Sequence, residues 1–201
     1  MFSGLQSLEL LDLSSNQISD THNVQFEVEG FWVLGDHCRN LSLANNKIRA
    51  FKWFSDYNKV QNVDLRFNKV ETITFWSLED YSEPSRKVNF DLSQNNLTEF
   101  NVEANTQGYE IKLSKNPLNC DADGFYQLIR GWKNRDFELD FGDETCHGPD
   151  FMEGKLLKDL QLNEIYHKIS NCFEVCSCLM RKFDAALIVN CSSRGISEPP
   201  R

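Results

Sequence analysis

The residues best equipped for chemistry crowd the second half of the chain. In GDETCHGPD, residues 142–150, Asp143 and Glu144 stand beside Cys146 and His147. A thiol next to an imidazole and a carboxylate is the starting set for nucleophilic catalysis. The same residues also describe a surface loop around a structural cystine, and that is the preferred reading. His22, His37 and His167 complete the histidines, and none falls in a metal-ligand or triad motif. No glycine-rich phosphate loop is present. The chain reads as non-enzymatic, with no cofactor and no metal.

Six of the seven cysteines lie between Cys120 and Cys191, and Cys172, Cys176, Cys178 and Cys191 form the densest group. Four thiolates can hold zinc, but the Cys-x-Cys step from Cys176 to Cys178 is tighter than the usual ligand spacing. Strands expected near Cys178–Lys182 and Ala186–Cys191, turning at Phe183-Asp184, make a hairpin that disulfides would tie. Asn-x-Ser/Thr sequons at Asn40, Asn96 and Asn190 are acceptors for N-glycosylation and favour the same oxidising, secretory compartment. No basic, then apolar, leader opens the chain at Met1-Phe2-Ser3-Gly4. No apolar run approaches the ~20 residues of a membrane span. The expectation is a fragment of a secretory-pathway protein, joined to a membrane only through segments it lacks. The formal net charge of -9 argues against nucleic acid or anionic membrane as a main partner.

Such groups need a frame, and the first half of the chain spells one out. In LELLDLSSNQI, apolar residues at Leu8, Leu11 and Leu13 precede Asn16 and Ile18. The pattern returns at Cys38, Leu41, Leu43, Asn46 and Ile48, and again at Val60, Val63, Leu65, Asn68 and Val70. Shorter copies follow at Phe90, Leu92, Asn95 and Leu97, and at Ile111, Leu113 and Asn116. The asparagine intervals are 30, 22, 27 and 21 residues. These centre on the leucine-rich repeat period of ~20–29 residues. One repeat cannot bury its own apolar face, but stacked repeats share a continuous core. The inward turn after each strand aims backbone N–H and C=O groups at that core. An asparagine, both donor and acceptor, is expected to satisfy them on its own turn and the next. Phe31, Trp32, Phe51, Trp53, Phe75, Trp76 and Phe100 are expected as core behind the strands.

A solenoid exposes its core at each end and needs caps. After Asn116-Pro117, residues Phe125, Leu128, Ile129 and Trp132 recur at helical spacing, as a cap helix would require. Cys120 and Cys146 flank it.

The segment NPLNCDADGFYQLIRGW…ETCHGPDFMEGKLLKDL resembles the cysteine-rich C-terminal cap of extracellular leucine-rich repeat proteins. The following CFEVCSCLMRKFDAALIVNC resembles their N-terminal cap. Placed in tandem, the two resemble the middle of the ectodomain of arthropod-type Toll receptors, where one array ends and a second begins. The resemblance implies an α/β solenoid with short parallel strands on its concave face and disulfide-stapled caps. Residues 1–116 would be repeats, 117–171 the C-terminal cap and 172–201 the N-terminal cap of a second array. One departure is Ala122, where the family's cap has the second cysteine of a Cys-x-Cys. If that pair is lost as a unit, the resemblance implies bonds Cys120–Cys146, Cys172–Cys178 and Cys176–Cys191, leaving Cys38 as a buried thiol. The alternative keeps Cys172 in the first cap.

On such a fold the residues between core slots face the concave side. Asp12, Asp64 and Asp91 share one slot, and with an interruption at Ser42 they form an acidic column ending at Lys112. The candidate ligand-binding residues are Asp12, Asp64, Arg66, Phe67, Asp91 and Lys112, with Phe67 at the rim of its turn. A glycan on Asn40 would share that face, and Asn96 should face outward. The resemblance further implies a protein ligand, a Spätzle-type cystine-knot cytokine, and a receptor dimer partner. It implies a place on the extracellular face of the plasma membrane and a role in innate immune or developmental signalling. An adhesion or matrix protein, or a soluble decoy, is the rival reading.

Overall fold

In the computed structural model, which describes residues 7–19, 37–54, 59–76, 87–98, 100, 108–120, 123–134, 137–169 and 176–192, each repeat contributes one very short strand. The strands β1 (Leu10–Asp12), β2 (Asn40–Ser42), β4 (Asn62–Asp64), β6 (Val88–Asp91), β7 (Tyr109–Lys112) and β8 (Glu138–Asp140) pair in parallel in that order. Their brevity follows from the sequence. The three-residue strands β2 and β4 bury one inward residue each, Leu41 and Val63, while β6 and β7 bury two, Val88 with Phe90 and Tyr109 with Ile111, and the residues between point outward. A second parallel pair joins β3 (Ala50–Phe54) to β5 (Thr72–Trp76). From it, Trp53 and Phe75 each meet the Phe90 ring at a centroid distance of 5.1 Å. The core is thus an aromatic layer between the two sheets, with Leu43, Ile48, Leu65, Val70, Leu92 and Leu97 fully buried.

The asparagines are the polar spine of this core. Asn95 donates to Leu92 O at 3.0 Å and to Leu65 O at 2.9 Å, and its Oδ1 accepts the N–H of Val70 at 2.9 Å. Asn46, Asn68 and Asn116 repeat the arrangement. The neighbour served is the preceding repeat, not the following one as the sequence reading has it. The reason is geometric: the side chain leans back over the turn already laid down. Among the described residues, Asn16 bonds its own turn alone, at Leu13 O and Ser14 O, and is exposed.

The sheet also runs one strand further than the asparagine count suggests. β8 lacks a ladder asparagine, yet Phe137, Leu139 and Phe141 alternate inward, and Leu139 registers with Ile111. The helix α1 (Asp123–Lys133) buries Phe125, Leu128 and Ile129 in the same core. Its Gly131 lets Phe137 approach, since a Cβ there would lie 2.5 Å from the Phe137 ring. Cys120 and Cys146 are disulfide-bonded and buried. Two 3-10 turns, Leu157–Asp159 and Leu162–Glu164, lead into β9 (Tyr166–Ile169).

β9 pairs antiparallel with β10 (Ser177–Arg181), which pairs with β11 (Leu187–Asn190). The hairpin falls where the sequence places it, and β9 is a third strand that the reading missed. The Cys176–Cys191 disulfide closes the hairpin's open end. Cys178 is also disulfide-bonded, while Cys172 lies outside the described residues, as do Phe31 and Trp32.

Cys38 is a free thiol with no exposed surface, and its Sγ–H donates to Asn40 O at 3.5 Å. Burial pushes its pKa up, which keeps it protonated and inert. The native protein is therefore expected to resist iodoacetamide, and Cys38 to alkylate only once denaturant opens β2. Mass spectrometry of alkylated peptides reads this, and labelling of Cys38 in the native state would refute the burial.

Candidate functional site

The outward faces of the strands line up by register into rows. One row runs Leu10, Asn40, Asn62, Asn89, Glu110, Glu138. The next runs Asp12, Ser42, Asp64, Asp91, Lys112, Asp140. The aspartates of the sequence reading therefore do share a column. The column does not end at Lys112, because β8 adds Asp140. The period-2 run Phe137, Leu139, Phe141 was the available signal for it.

The column has a job inside the fold. Asp12 Oδ1 accepts the N–H of Ser14 at 2.9 Å, Asp64 that of Arg66 at 3.1 Å, Asp91 that of Ser93 at 3.1 Å and Asp140 that of Gly142 at 2.8 Å. Each carboxylate caps the turn that follows its strand, as short acidic side chains do in Asx-turns. The Ser14 hydroxyl and N–H hold the Asp12 carboxyl below its usual range. Because its folded pKa is depressed, that contribution is present above the unfolded pKa and lost as pH falls through the folded one.

Arg66 sits across the column. Its Nε and Nη2 form a bidentate pair with Asp64 at 3.0 and 2.8 Å, and Asp91 Oδ2 lies 3.6 Å away. The Asp64 hydrogen bonds raise the Arg66 pKa further. The group is half exposed, so the pair contributes little to stability, on the order of 1 kcal/mol or less. Its larger effect is to hold a planar cation flat between two acids. Lys112 registers between Asp91 and Asp140.

In the first row, Asn62 donates to Asn40 Oδ1 at 2.8 Å and Asn89 donates to Asn62 Oδ1 at 2.8 Å. Among the described residues, this amide ladder leaves Asn89 Oδ1 buried without a partner. Asn40, a sequon residue, is therefore on the concave sheet. Asn96 is exposed beyond its ladder neighbour Asn95. Asn190 ends β11, and its Oδ1 accepts both the N–H and the hydroxyl of Ser192.

Phe67 is 51% exposed and has φ of 56°. The same left-handed turn position is held by Ser15, Asn45, Gln94 and Lys115 in the other repeats. The sequence places Phe67 at the rim of its turn, but its left-handed backbone conformation is a feature of the fold.

The chemistry suggested by Cys146 and His147 is not available. Cys146 is committed to its disulfide, so no thiolate stands beside the imidazole. Likewise Cys176, Cys178 and Cys191 are all oxidised and cannot serve as zinc thiolates. Among the described residues no helix is long and apolar enough to cross a membrane.

No protein-family model matches the chain. In sequence it is similar to protein Toll of Drosophila melanogaster, with 25% identity over 185 residues, 80% of this chain and 17% of Toll. In fold it is similar to the solved Toll–Spätzle complex, described as a molecular hub in Drosophila development and innate immunity. The TM-score is 0.71 at 22% identity, over 100% of this chain and 28% of the solved one. The glycosylated form of that complex gives a TM-score of 0.68 at 21% identity, covering 96% of this chain and 27% of the other. The chain thus spans about a sixth of the curated relative it matches. It is a leucine-rich repeat solenoid with cysteine caps, and its likeness is to a stretch of the Toll ectodomain.

Proposed function

We propose that the chain is a stretch of a Toll-type receptor ectodomain, binding a protein ligand and taking part in receptor assembly in innate immune or developmental signalling. One observation carries this reading. A solenoid closed by the Cys120–Cys146 cap runs straight on into a second cystine-tied hairpin, in a chain whose whole length aligns with Toll. An ordinary single-array adhesion protein has no need of the second cap. The division into repeats 1–116, a C-terminal cap 117–171 and the N-terminal cap of a second array 172–201 belongs to this reading. So do an extracellular, cell-surface location, a Spätzle-type cytokine as ligand, a receptor dimer partner, and glycans on Asn40, Asn96 and Asn190. The proposed contact residues are Asp12, Asp64, Arg66, Phe67, Asp91 and Lys112, a mostly acidic strip suited to a basic protein face.

Binding of a purified Spätzle-type cytokine to the secreted, glycosylated chain tests the reading by surface plasmon resonance. Saturable binding that weakens with added salt is expected, because exposed charges are screened beyond about 10 Å at 0.1 M. Absence of binding would favour the adhesion or matrix alternative.

A further inference from the structure

Five turns of this solenoid solve one geometric problem. The residue just before each ladder asparagine adopts φ between 55° and 60°. That region crowds the Cβ of any L residue and suits small or amide side chains best. Ser15, Asn45, Gln94 and Lys115 are polar, as an exposed tight turn should be. Phe67 breaks the series: a bulky aromatic in a conformation that aromatics avoid.

The fold draws little from that choice. Phe67 is 51% exposed, and its ring packs on no other ring among the described residues. Its backbone N–H reaches Ser93 O at 3.3 Å, where Ser15, Asn45 and Gln94 make the equivalent bond at 2.8 to 2.9 Å. A strained, half-exposed aromatic with no ring partner among the described residues is the kind of outlier from which function can be argued. The flanking positions are amides, Asn45 on one side and Gln94 on the other. The adjacent Arg66 is clamped between Asp64 and Asp91, which leaves two carboxylates to one guanidinium beside the ring.

We propose that Phe67 is the anchor of a protein-docking site on the turn rim, for a partner that offers an apolar pocket edged by Lys or Arg. An aromatic anchor ringed by polar groups that exclude water is the usual anatomy of a binding hot spot. The residual acidity of the Asp64–Arg66–Asp91 group selects a basic rim. A second copy of this chain, with a formal net charge of -9, would bring like charge to the contact. The proposal deepens the receptor reading. It moves the main contact from the floor of the concave sheet, where aspartates are occupied in capping turns, to the turn edge.

The test uses Phe67→Asn, which keeps a residue tolerant of the left-handed turn, and Phe183→Asn, a comparably exposed aromatic at the β10–β11 turn. A library of disulfide-constrained peptides is panned on the secreted wild-type chain. Recovered peptides should carry an apolar residue beside Lys or Arg. They should bind Phe67→Asn about tenfold more weakly or worse and Phe183→Asn unchanged. The urea midpoint of Phe67→Asn should equal or exceed that of wild type. Peptides indifferent to Phe67, failure to recover any, or a lowered midpoint would each overturn the proposal, the last by making Phe67 structural. Dimers abolished by Phe67→Asn would assign the rim to a second copy and also overturn it. A Spätzle-type cytokine that binds wild type and Phe67→Asn alike sinks this inference and leaves the receptor reading intact. Phe67-dependent peptides with no cytokine binding do the reverse.

Discussion

Replacing Asn95 by alanine is expected to lower stability by about 2–4 kcal/mol, a large share of a domain's margin. The substitution strands the N–H of Val70 inside the core and takes one of two amide donors from each of the Leu65 and Leu92 carbonyls, which keep Asn68 and Asn116. A buried, unpaired N–H costs about 1–3 kcal/mol, each lost second bond about 1 kcal/mol more, and water entering the space left by the amide offsets part of the sum. Asn16→Ala is the internal control. Among the described residues that asparagine serves its own turn alone, and it is exposed, so its loss should cost about 1 kcal/mol or less. Asn95→Asp separates shape from hydrogen bonding. The carboxylate still accepts from Val70 but faces two carbonyls without a donor. Its folded pKa must therefore rise above the unfolded value. The variant's stability is then greatest below the unfolded pKa and is lost as pH rises through the folded one. Urea titrations at several pH values and hydrogen exchange at the Val70 amide read both effects. An Asn95→Ala variant as stable as Asn16→Ala would show that the amide spine is dispensable.

That contrast shows what a sequence can and cannot convey here. The spacing of leucines to asparagines carries the inward face of each turn, because one turn has only one way to bury both. Leu41, Leu43, Asn46 and Ile48 could be assigned to the core without coordinates, and all four are buried. The neighbour each amide serves could not be assigned, since leaning back over the preceding turn is a three-dimensional fact. β8 escaped because the repeat was identified by its asparagine, and β8 needs none with Asp140 and Gly142 making its turn. β9 escaped because Tyr166-His167-Lys168-Ile169 mixes polar and apolar residues without a clear period.

The candidate surface was legible as a list and not as a set of roles. Asp12, Asp64 and Asp91 occupy one slot in the sequence, which invites a ligand. In the fold each one first caps a turn, so part of their recurrence is explained before any partner is considered. A column of like charges on adjacent strands, ~4.8 Å apart, would be repulsive. Ser42, Arg66 and Lys112 break it at intervals. The phenyl ring of Phe67 can cap no turn, and that difference separates it from the acids beside it.

Removing the Cys120–Cys146 bond by a double substitution to alanine is expected to cost about 3–4 kcal/mol and to release the cap before the repeats. The bond spans 26 residues, so its loss frees the unfolded chain from a sizeable closed loop. Both cysteines lie in the core that α1 completes with Phe125, Leu128 and Ile129. Opening this end exposes Leu113 and Leu118, which are fully buried while the cap is shut. Hydrogen exchange should then accelerate across α1 and β8 while β2 and β4 retain protection, since each repeat leans mainly on its neighbours. Protease should cut first between residues 120 and 146. The Cys176–Cys191 bond is the comparison. It spans 15 residues, and β11 beside it is exposed along its length. Its removal should loosen only the hairpin and leave exchange in α1 unchanged. Equal protection of α1 with and without the Cys120–Cys146 bond would mean that apolar packing alone closes the solenoid, and that the cystine constrains only the unfolded chain.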